Sequence, residues 1–225
     1  MPRPPILRIA EIFASVQGEG LRLGEPTIFV RFAGCNLRCP FCDTKRAWRG
    51  GAAGTLRAAT AAPRGGAGGA SGAAIAARVE ALRRRFPASW VDLTGGEPYM
   101  QDLGDLIRLL RGRGLKVQAE TNGTIYRPWT VDRLTVSPKP PAYACDPRLR
   151  RAADEVKLVV SKSLTLPVVA RVRGEFPAAV PILLQPESNA AWSRSRAVRL
   201  LRRAARAGLG DIRLTVQLHK IYGLR

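Results

Sequence analysis

Three of the four cysteines lie close together, at Cys35, Cys39 and Cys42, in the spacing C-x3-C-x2-C. A disulfide framework does not explain them, because their number is odd and their spacing is too tight. Structural zinc normally takes four ligands, and the fourth would have to be Cys145 or His219, both remote in the sequence. Three thiolates on a short loop instead suit a four-iron, four-sulfur cluster, whose fourth iron keeps an open position for a small molecule. We therefore favour an iron–sulfur cluster over zinc and expect Cys145 to be a structural thiol.

Polar residues follow several predicted strands at the point where each strand ends. Residues 94–98 read Thr-Gly-Gly-Glu-Pro, a turn whose glycines let the backbone approach a ligand and whose carbonyl groups can accept from an ammonium. In this turn Glu97 is expected to hold the backbone rather than to act in catalysis. Further polar groups follow other strands, at 120–124, 137–139 and 185–188. Because ligands bind at the carboxyl edge of parallel sheets, we expect these segments to border one site with the cysteine loop.

The elements that must position these residues alternate between strands and helices. Apolar, β-branched runs predict strands at 28–32, 90–94, 116–119, 134–136, 156–160, 182–184 and 212–217. Apolar residues at helical spacing predict helices at 73–86, 103–111, 166–176 and 193–207. This alternation indicates an α/β fold with a parallel sheet and right-handed crossovers. About six repeats are too few for a closed eight-stranded barrel, so we predict a partial, open β/α barrel.

The composition fits one domain that carries an insertion. The chain has 225 residues, a net charge of +20 and a hydrophobic fraction of 46%, which is enough to build a core. Residues 50–74 are almost entirely Gly, Ala, Ser, Thr, Pro and Arg, which predicts a flexible insertion. No apolar run is long enough to span a membrane and no secretory signal is visible, so we expect a cytoplasmic protein. The basic residues are scattered, which favours a biased surface composition over direct contact with nucleic acid.

The cysteine loop resembles the signature of the radical S-adenosylmethionine (SAM) superfamily, with Gly34 before it and Phe41 before its last cysteine. Three further motifs narrow the resemblance: Gln-Gly-Glu-Gly at 17–20, an arginine at Arg31, and Gln-Leu-His-Lys at 217–220. Together they resemble the 7-carboxy-7-deazaguanine synthase family over residues 11–225, with the insertion unmatched.

The resemblance implies one radical SAM domain with a lyase activity in 7-deazapurine (queuosine-type) biosynthesis. The family converts 6-carboxy-5,6,7,8-tetrahydropterin to 7-carboxy-7-deazaguanine with loss of ammonia. In the superfamily the cluster passes an electron into bound SAM, and the resulting deoxyadenosyl radical abstracts a hydrogen atom from the substrate. The resemblance also implies Mg²⁺, a flavodoxin- or ferredoxin-type electron donor and a homodimer.

The resemblance assigns each site residue a role, with no side-chain acid or base in catalysis. Cluster ligands are Cys35, Cys39 and Cys42, and the magnesium ligand is Thr44. The residues implied to bind substrate are Val16, Gln17, Gly18, Glu19, Arg31, Thr94, Asn122, His219 and Arg225, the last through its terminal carboxylate. Those implied to bind SAM are Phe41, Asp43, Gly96, Glu120, Ser137, Pro138, Lys139, Gln185, Pro186, Glu187 and Ser188.

Two other functions compete with this interpretation. A glycyl-radical-enzyme activating protein shares the cysteine loop and the Gly-Gly-Glu-Pro motif, but its usual Asp-Gly-Pro-Gly segment is absent. Its large protein substrate would also leave Arg31 and His219 without a role. A basic, metal-binding protein that contacts nucleic acid is the alternative from another class, and a colourless protein with one zinc ion would support it.

Overall fold

The computed structural model describes residues 5–48, 54–55 and 68–224. Within these ranges the strands form one sheet in the order β10-β9-β8-β7-β6-β5-β2-β1-β4-β3. The strands are β1 (Ile6–Val16), β2 (Pro26–Phe32), β3 (Gly54–Thr55), β4 (Gly68–Ser71), β5 (Trp90–Gly95), β6 (Lys116–Thr121), β7 (Arg133–Val136), β8 (Glu155–Val160), β9 (Ile182–Pro186) and β10 (Ile212–Leu214). The helices are α1 (Gly72–Arg83), α2 (Gly104–Arg111), α3 (Pro147–Ala152), α4 (Leu166–Glu175), α5 (Ala191–Arg206) and α6 (Leu218–Ile221).

The parallel part of the sheet runs from β2 through β5 to β10, and from β5 to β10 neighbours in the sheet are also consecutive strands in the sequence. The sheet stays open, because β10 and β2 do not pair with each other. This confirms the predicted α/β class and open barrel, with seven parallel strands where about six were expected. The predicted helices at 73–86, 103–111, 166–176 and 193–207 correspond to α1, α2, α4 and α5.

The long first strand, β1, was missed by the sequence analysis. It pairs antiparallel with β2 on one side and with β4 on the other. The register of β1 against β2 shifts at a bulge between Ile9 and Glu11. Before the bulge Leu7 and Ile9 belong to the apolar core, and after it Ile12 and Ala14 pack against that core. Glu11, Phe13 and Ser15 alternate with the latter pair and are buried on the opposite face.

The insertion is shorter at its C-terminal end than predicted. Residues 68–71 form β4, which pairs with β1, and Gly72 already begins α1. Strands pair through backbone hydrogen bonds and tolerate small side chains. The composition of this segment, which has few large apolar residues, therefore did not predict β4. At Gly69 a β-carbon would lie 2.5 Å from Ile6 Cγ2, so a glycine suits this close packing. Apart from 54–55, the rest of the insertion up to residue 67 lies outside the described residues.

Alternate residues of the parallel strands divide the sheet into an apolar and a polar face. On β5, Val91 and Leu93 belong to the apolar core, whereas Asp92 between them is buried and polar. On β8, Val156 and Leu158 likewise belong to the core and Lys157 is buried and polar. Because successive side chains point to opposite faces, the polar residues converge on the inside of the open barrel. Among the described residues, no helix combines the length and apolar character that crossing a bilayer requires.

Candidate functional site

One cavity lies at the carboxyl ends of the parallel strands and brings most of the predicted site residues together. Of the predicted set, the residues that line it are Val16, Gln17, Gly18, Glu19, Arg31, Cys35, Cys39, Phe41, Cys42, Asp43, Thr44, Thr94, Gly96, Glu120, Asn122, Ser137, Lys139, Gln185, Pro186, Glu187, Ser188 and His219. Pro138 is not among the lining residues, and Arg225 lies outside the described residues. Segments separated by up to two hundred residues of sequence therefore share one cavity.

The cysteine loop presents three free, half-buried thiols to this cavity. Its backbone is fixed by a hydrogen bond from Cys42 N to Cys39 O of 3.0 Å. Burial raises the pKa of Cys35 and of Cys39, so both thiols are protonated at neutral pH and would release protons on binding iron. Cys145 does not line the cavity, and burial raises its pKa to about 12. Three thiol donors on one loop thus fit an iron–sulfur cluster with an open position.

The glycine pair of the Thr-Gly-Gly-Glu-Pro turn packs directly against the strand that leads into the cysteine loop. Gly95 has a φ of +132°, and a β-carbon there would lie 2.4 Å from the backbone of Phe32. At Gly96 a β-carbon would lie 2.0 Å from Gly34 O, so no side chain fits. The backbones are joined by a hydrogen bond of 2.8 Å from Glu97 N to Gly34 O. Glycine is therefore required to bring the turn and the cysteine loop together.

Glu97 holds this turn through three hydrogen bonds and does not line the cavity. Its carboxylate accepts from Thr121 Oγ1 at 2.7 Å, from Asn122 N at 2.7 Å and from Tyr99 N at 3.0 Å. Burial raises the pKa of Glu97 to about 6, although these hydrogen bonds favour the ionised form. The residue ties the end of β6 to the turn after β5, which is the positioning role expected from the sequence.

The close packing at Gly96 leads to a stability prediction. Gly96→Ala should lower the free energy of unfolding by about 3 kcal/mol, because the added methyl group overlaps backbone that cannot move aside. Gly174→Ala is the matched control: this exposed glycine lies in α4 and a β-carbon there would meet nothing within 4 Å. The control should stabilise the protein by about 0.5–1 kcal/mol. Chemical denaturation of the metal-free protein measures both, and equal stability of the two variants would contradict the prediction.

Arg31 is held by partners on two other segments. Its Nε donates to Glu11 Oε1 at 2.8 Å, and its Nη1 donates to Thr44 Oγ1 at 3.1 Å. Glu11 is buried on β1 and also binds Arg46. The Thr44 hydroxyl donates in turn to Asp43 Oδ1 at 2.9 Å. The guanidinium is therefore fixed beside the proposed magnesium ligand, and the sequence analysis did not find Glu11 because it lies in a strand that was missed.

The Gln17 side chain is only 2% exposed and has both ends bound within the protein. Its Nε2 donates to Asp92 Oδ2 at 2.6 Å and to Glu120 Oε1 at 3.4 Å. Its Oε1 accepts from Glu19 N at 3.1 Å. The predicted contact of this amide with substrate stays a prediction. In the structure the Gln17 amide binds the carboxyl groups of Asp92 and Glu120 and the backbone N–H of Glu19.

The C-terminal motif packs onto the Gln-Gly-Glu-Gly loop. Leu218 N donates to Gly18 O at 2.8 Å, and a β-carbon on Gly18 would lie 2.4 Å from His219 Nδ1. Burial lowers the pKa of His219, so its imidazole is neutral at pH 7 and can both donate and accept. The ligand atoms of Glu19, Asp43 and His219 all lie within 4.8 Å of one another, which is close enough to hold a cation.

The segments at 137–139 and 185–188, predicted to bind SAM, contribute Ser137, Lys139, Gln185, Pro186, Glu187 and Ser188 to the lining of the cavity. Ser137 Oγ donates to Lys157 O at 2.7 Å, and Lys139 Nζ donates to Ser137 Oγ. Gln185 is 3% exposed, and its Oε1 has no hydrogen-bond partner among the described residues. This oxygen is a buried acceptor that a ligand's donor can satisfy. Asn122 donates instead to Asn36 Oδ1 at 2.9 Å, which ties the end of β6 to the cysteine loop.

Lys157, Asp92 and Gln217 are polar site residues that the sequence analysis did not select. Lys157 and Gln217 line the cavity, and Asp92 is buried beside Gln17. For Lys157 and Asp92 the local signal was a charged residue inside an otherwise apolar strand, as in Val-Lys-Leu at 156–158, and Gln217 begins the Gln-Leu-His-Lys motif at 217–220. Their partners are far away in the sequence, so local patterns could not reveal them.

Comparisons with known proteins place this geometry in a family. Residues 29–138 match the Radical SAM superfamily. The chain is 35% identical to the 7-carboxy-7-deazaguanine synthase of Rhodospirillum rubrum, over 96% of this chain and 91% of that protein. It is also 35% identical to the protein of the same name from Bradyrhizobium diazoefficiens, over 96% of this chain and 98% of that one. The crystal structure of QueE from Escherichia coli superposes with a TM-score of 0.76 at 29% identity, over 95% of each chain. Streptococcus suis SuiB, at 10% identity and a TM-score of 0.54 over 85% of this chain and 48% of that one, shares the fold alone.

Proposed function

Because the chain belongs to the 7-carboxy-7-deazaguanine synthase family, we propose that its cavity binds 6-carboxy-5,6,7,8-tetrahydropterin beside SAM and an iron–sulfur cluster. The protein is a radical SAM lyase of deazapurine biosynthesis that forms 7-carboxy-7-deazaguanine with loss of ammonia. The observation that carries the proposal is the convergence of the cysteine loop, Arg31 and Glu19 on one cavity.

The residues of the cysteine loop fit the cluster and the turn after β5 fits SAM. Cys35, Cys39 and Cys42 would hold the cluster, which with SAM supplies the radical chemistry that removes a hydrogen atom from substrate. The backbone at Gly96 lines the cavity beside the cysteine loop, which supports a contact between this turn and SAM. The unpartnered oxygen of Gln185 supports binding of a donor group at the end of β9. The remaining SAM contacts are proposed at Phe41, Asp43, Glu120, Ser137, Pro138, Lys139, Pro186, Glu187 and Ser188.

We assign the substrate contacts by the charge and hydrogen-bonding capacity of the remaining cavity residues. Arg31 is the guanidinium proposed to bind the substrate carboxylate, for which a planar fork is suited. Glu19, an acceptor-only carboxylate, is proposed to bind the N–H donors of the pterin ring. Neutral His219 is proposed to contact the substrate rather than to ligate metal. Further contacts are proposed at Val16, Gly18, Thr94 and Asn122.

Electron transfer to this site requires a reductant. Arg38, Lys45 and Arg46 are exposed around the cysteine loop. This local positive charge supports docking of an acidic flavodoxin- or ferredoxin-type donor. The homodimer implied by the family resemblance stays a prediction.

Magnesium is proposed at Thr44, whose hydroxyl lies between Arg31 and Asp43. A hydroxyl, substrate oxygens and water would form the hard oxygen shell that Mg²⁺ prefers. Thr44→Val should raise the magnesium concentration needed for half-maximal turnover by on the order of tenfold, whereas Thr44→Ser, which keeps the hydroxyl, should resemble wild type. Turnover against added Mg²⁺ measures this, and an unchanged magnesium dependence in the valine variant would contradict the assignment.

The function is tested by incubating the anaerobically reconstituted protein with a reductant, SAM and 6-carboxytetrahydropterin. We expect a deazapurine product and release of ammonia in equal amounts. No product from protein that contains about four irons per chain would overturn the synthase assignment. Colourless protein with one zinc ion would instead favour the nucleic-acid-binding alternative, and glycyl-radical formation on a large protein would favour the activating enzyme.

A further inference from the structure

A buried lysine that lines the cavity joins two carboxylates from different segments of the chain. Lys157 lies on β8, and its side chain is 6% exposed. Its Nζ donates to Glu120 Oε2 at 2.7 Å on β6 and to Glu19 Oε2 on the loop after β1. Glu19 belongs to the proposed pterin-binding segment, whereas Glu120 belongs to the proposed SAM-binding set. One ammonium group therefore contacts a carboxylate of each.

The lysine determines the charge of the carboxylates it touches. Burial alone would raise the pKa of Glu19, but the Lys157 ammonium, with hydrogen bonds from Lys157 and Gln217, lowers it to about 2. Burial alone would lower the pKa of Lys157, but the charges of Glu120 and Glu19 raise it. Both members of the pair are thus ionised at neutral pH, and Glu19 is able to accept N–H donors with either oxygen.

The neighbouring polar groups fix the positions of these carboxylates without competing for the lysine. Gln217 Nε2 donates to Glu19 Oε1 at 2.8 Å, so each oxygen of Glu19 has its own partner. Gln17 Nε2 contacts Glu120 Oε1, which leaves Glu120 Oε2 to Lys157. Burial and the charge of Glu120 raise the pKa of Asp92 well above its ordinary value, so a third negative charge is disfavoured beside these carboxylates.

We propose that Lys157 is a positioning residue that holds Glu19 and Glu120 together inside the cavity, and so couples the binding of pterin to the binding of SAM. The inference rests on the proposed function, because it takes Glu19 to face the pterin and Glu120 to face SAM. Without the lysine, two buried carboxylates would lie close together with no cation, and they would separate or take up a proton. Either change removes an acceptor from both ligands at once.

The test compares Lys157→Met with Lys162→Met, which removes an exposed lysine of the same size outside the cavity. We expect Lys157→Met to raise the KM for pterin and the Kd for SAM by about tenfold or more each, because it leaves buried charges unpaired. The Lys162→Met protein should keep both constants. Lys157→Arg, which keeps a cation, should recover part of both losses. Cluster absorbance and thermal stability are recorded for each variant. They distinguish weaker binding of pterin and SAM from loss of the iron–sulfur cluster.

A double-variant cycle decides whether Lys157 acts through the carboxylates. In a Glu19→Gln protein, adding Lys157→Met should raise the pterin KM further by less than about twofold, but it should still raise the Kd for SAM. Fully additive effects on the pterin KM, or an unchanged Kd for SAM, would overturn the proposal. If the Lys157→Met variant does not hold the cluster, the Lys157→Met, Glu120→Gln double variant is measured in its place, because it has one buried carboxylate fewer. An unchanged pterin KM in this double variant would also overturn the proposal. Failure of the wild-type protein to form product would instead count against the proposed function.

Discussion

Cys39→Ser should reduce deazapurine formation at least about a thousandfold, because the protein relies on its cluster and SAM for the difficult chemistry. A serine hydroxyl does not replace a thiolate as a ligand to iron. The loop around Cys39 is otherwise held by backbone contacts, so the variant should still fold. Iron and sulfide content after anaerobic reconstitution, together with product formation, measures the effect.

The matched control is Cys145→Ala, which changes the remaining cysteine. Cys145 is buried and does not line the cavity, so its removal should leave the iron content unchanged. Loss of metal from the Cys145 variant would make it a fourth ligand and would revive the zinc alternative. Full iron content in the Cys39 variant would contradict the three-cysteine cluster.

Arg31→Lys should lower kcat/KM about a hundredfold, since charge-assisted hydrogen bonds contribute about 1.5–3 kcal/mol each and lysine cannot form the planar fork. In the structure the guanidinium satisfies Glu11 and Thr44 at the same time. A single ammonium cannot reach both and also bind a carboxylate bidentately. Steady-state kinetics with 6-carboxytetrahydropterin measures this loss.

Two controls separate carboxylate binding from a general effect of charge. Arg213→Lys changes an exposed arginine that pairs with Asp211, and it should leave kcat/KM within about twofold of wild type. A tetrahydropterin without the 6-carboxylate, used as an inhibitor, should bind wild type and Arg31→Lys equally. A similar loss of affinity for both pterins would contradict the proposed contact.

The net charge of +20 does not describe the site. Several of the 17 acidic residues are gathered at or beside the cavity: Glu11, Glu19, Asp43, Asp92, Glu97 and Glu120. The cations paired with these groups are Lys157, Arg31 and Arg46, and Lys139 also lines the cavity. The surface is therefore more basic than the average composition indicates, while the interior of the barrel is balanced or acidic. This separation suits a polar substrate inside and an acidic electron donor outside.

The amino-acid sequence by itself determined the features that are contiguous along the chain. The cysteine spacing, the Thr-Gly-Gly-Glu-Pro turn and the alternation of strands with helices predicted the cluster, the open β/α barrel and the family. Most strands and the main helices were also predicted, because burial of one face imposes a local period on the sequence.

Only the tertiary structure decided the contacts that join distant segments. Lys157 and Glu19 are 138 residues apart, and Gln217 and Glu19 are 198 residues apart. β1 escaped prediction because a bulge between Ile9 and Glu11 interrupts its apolar alternation, and Glu11 is buried there against Arg31 on the neighbouring strand. A charged residue inside a strand is unfavourable by itself and becomes acceptable only when the fold supplies an opposite charge. The tertiary structure supplies that opposite charge, because the register of β1 against β2 places Arg31 directly opposite Glu11.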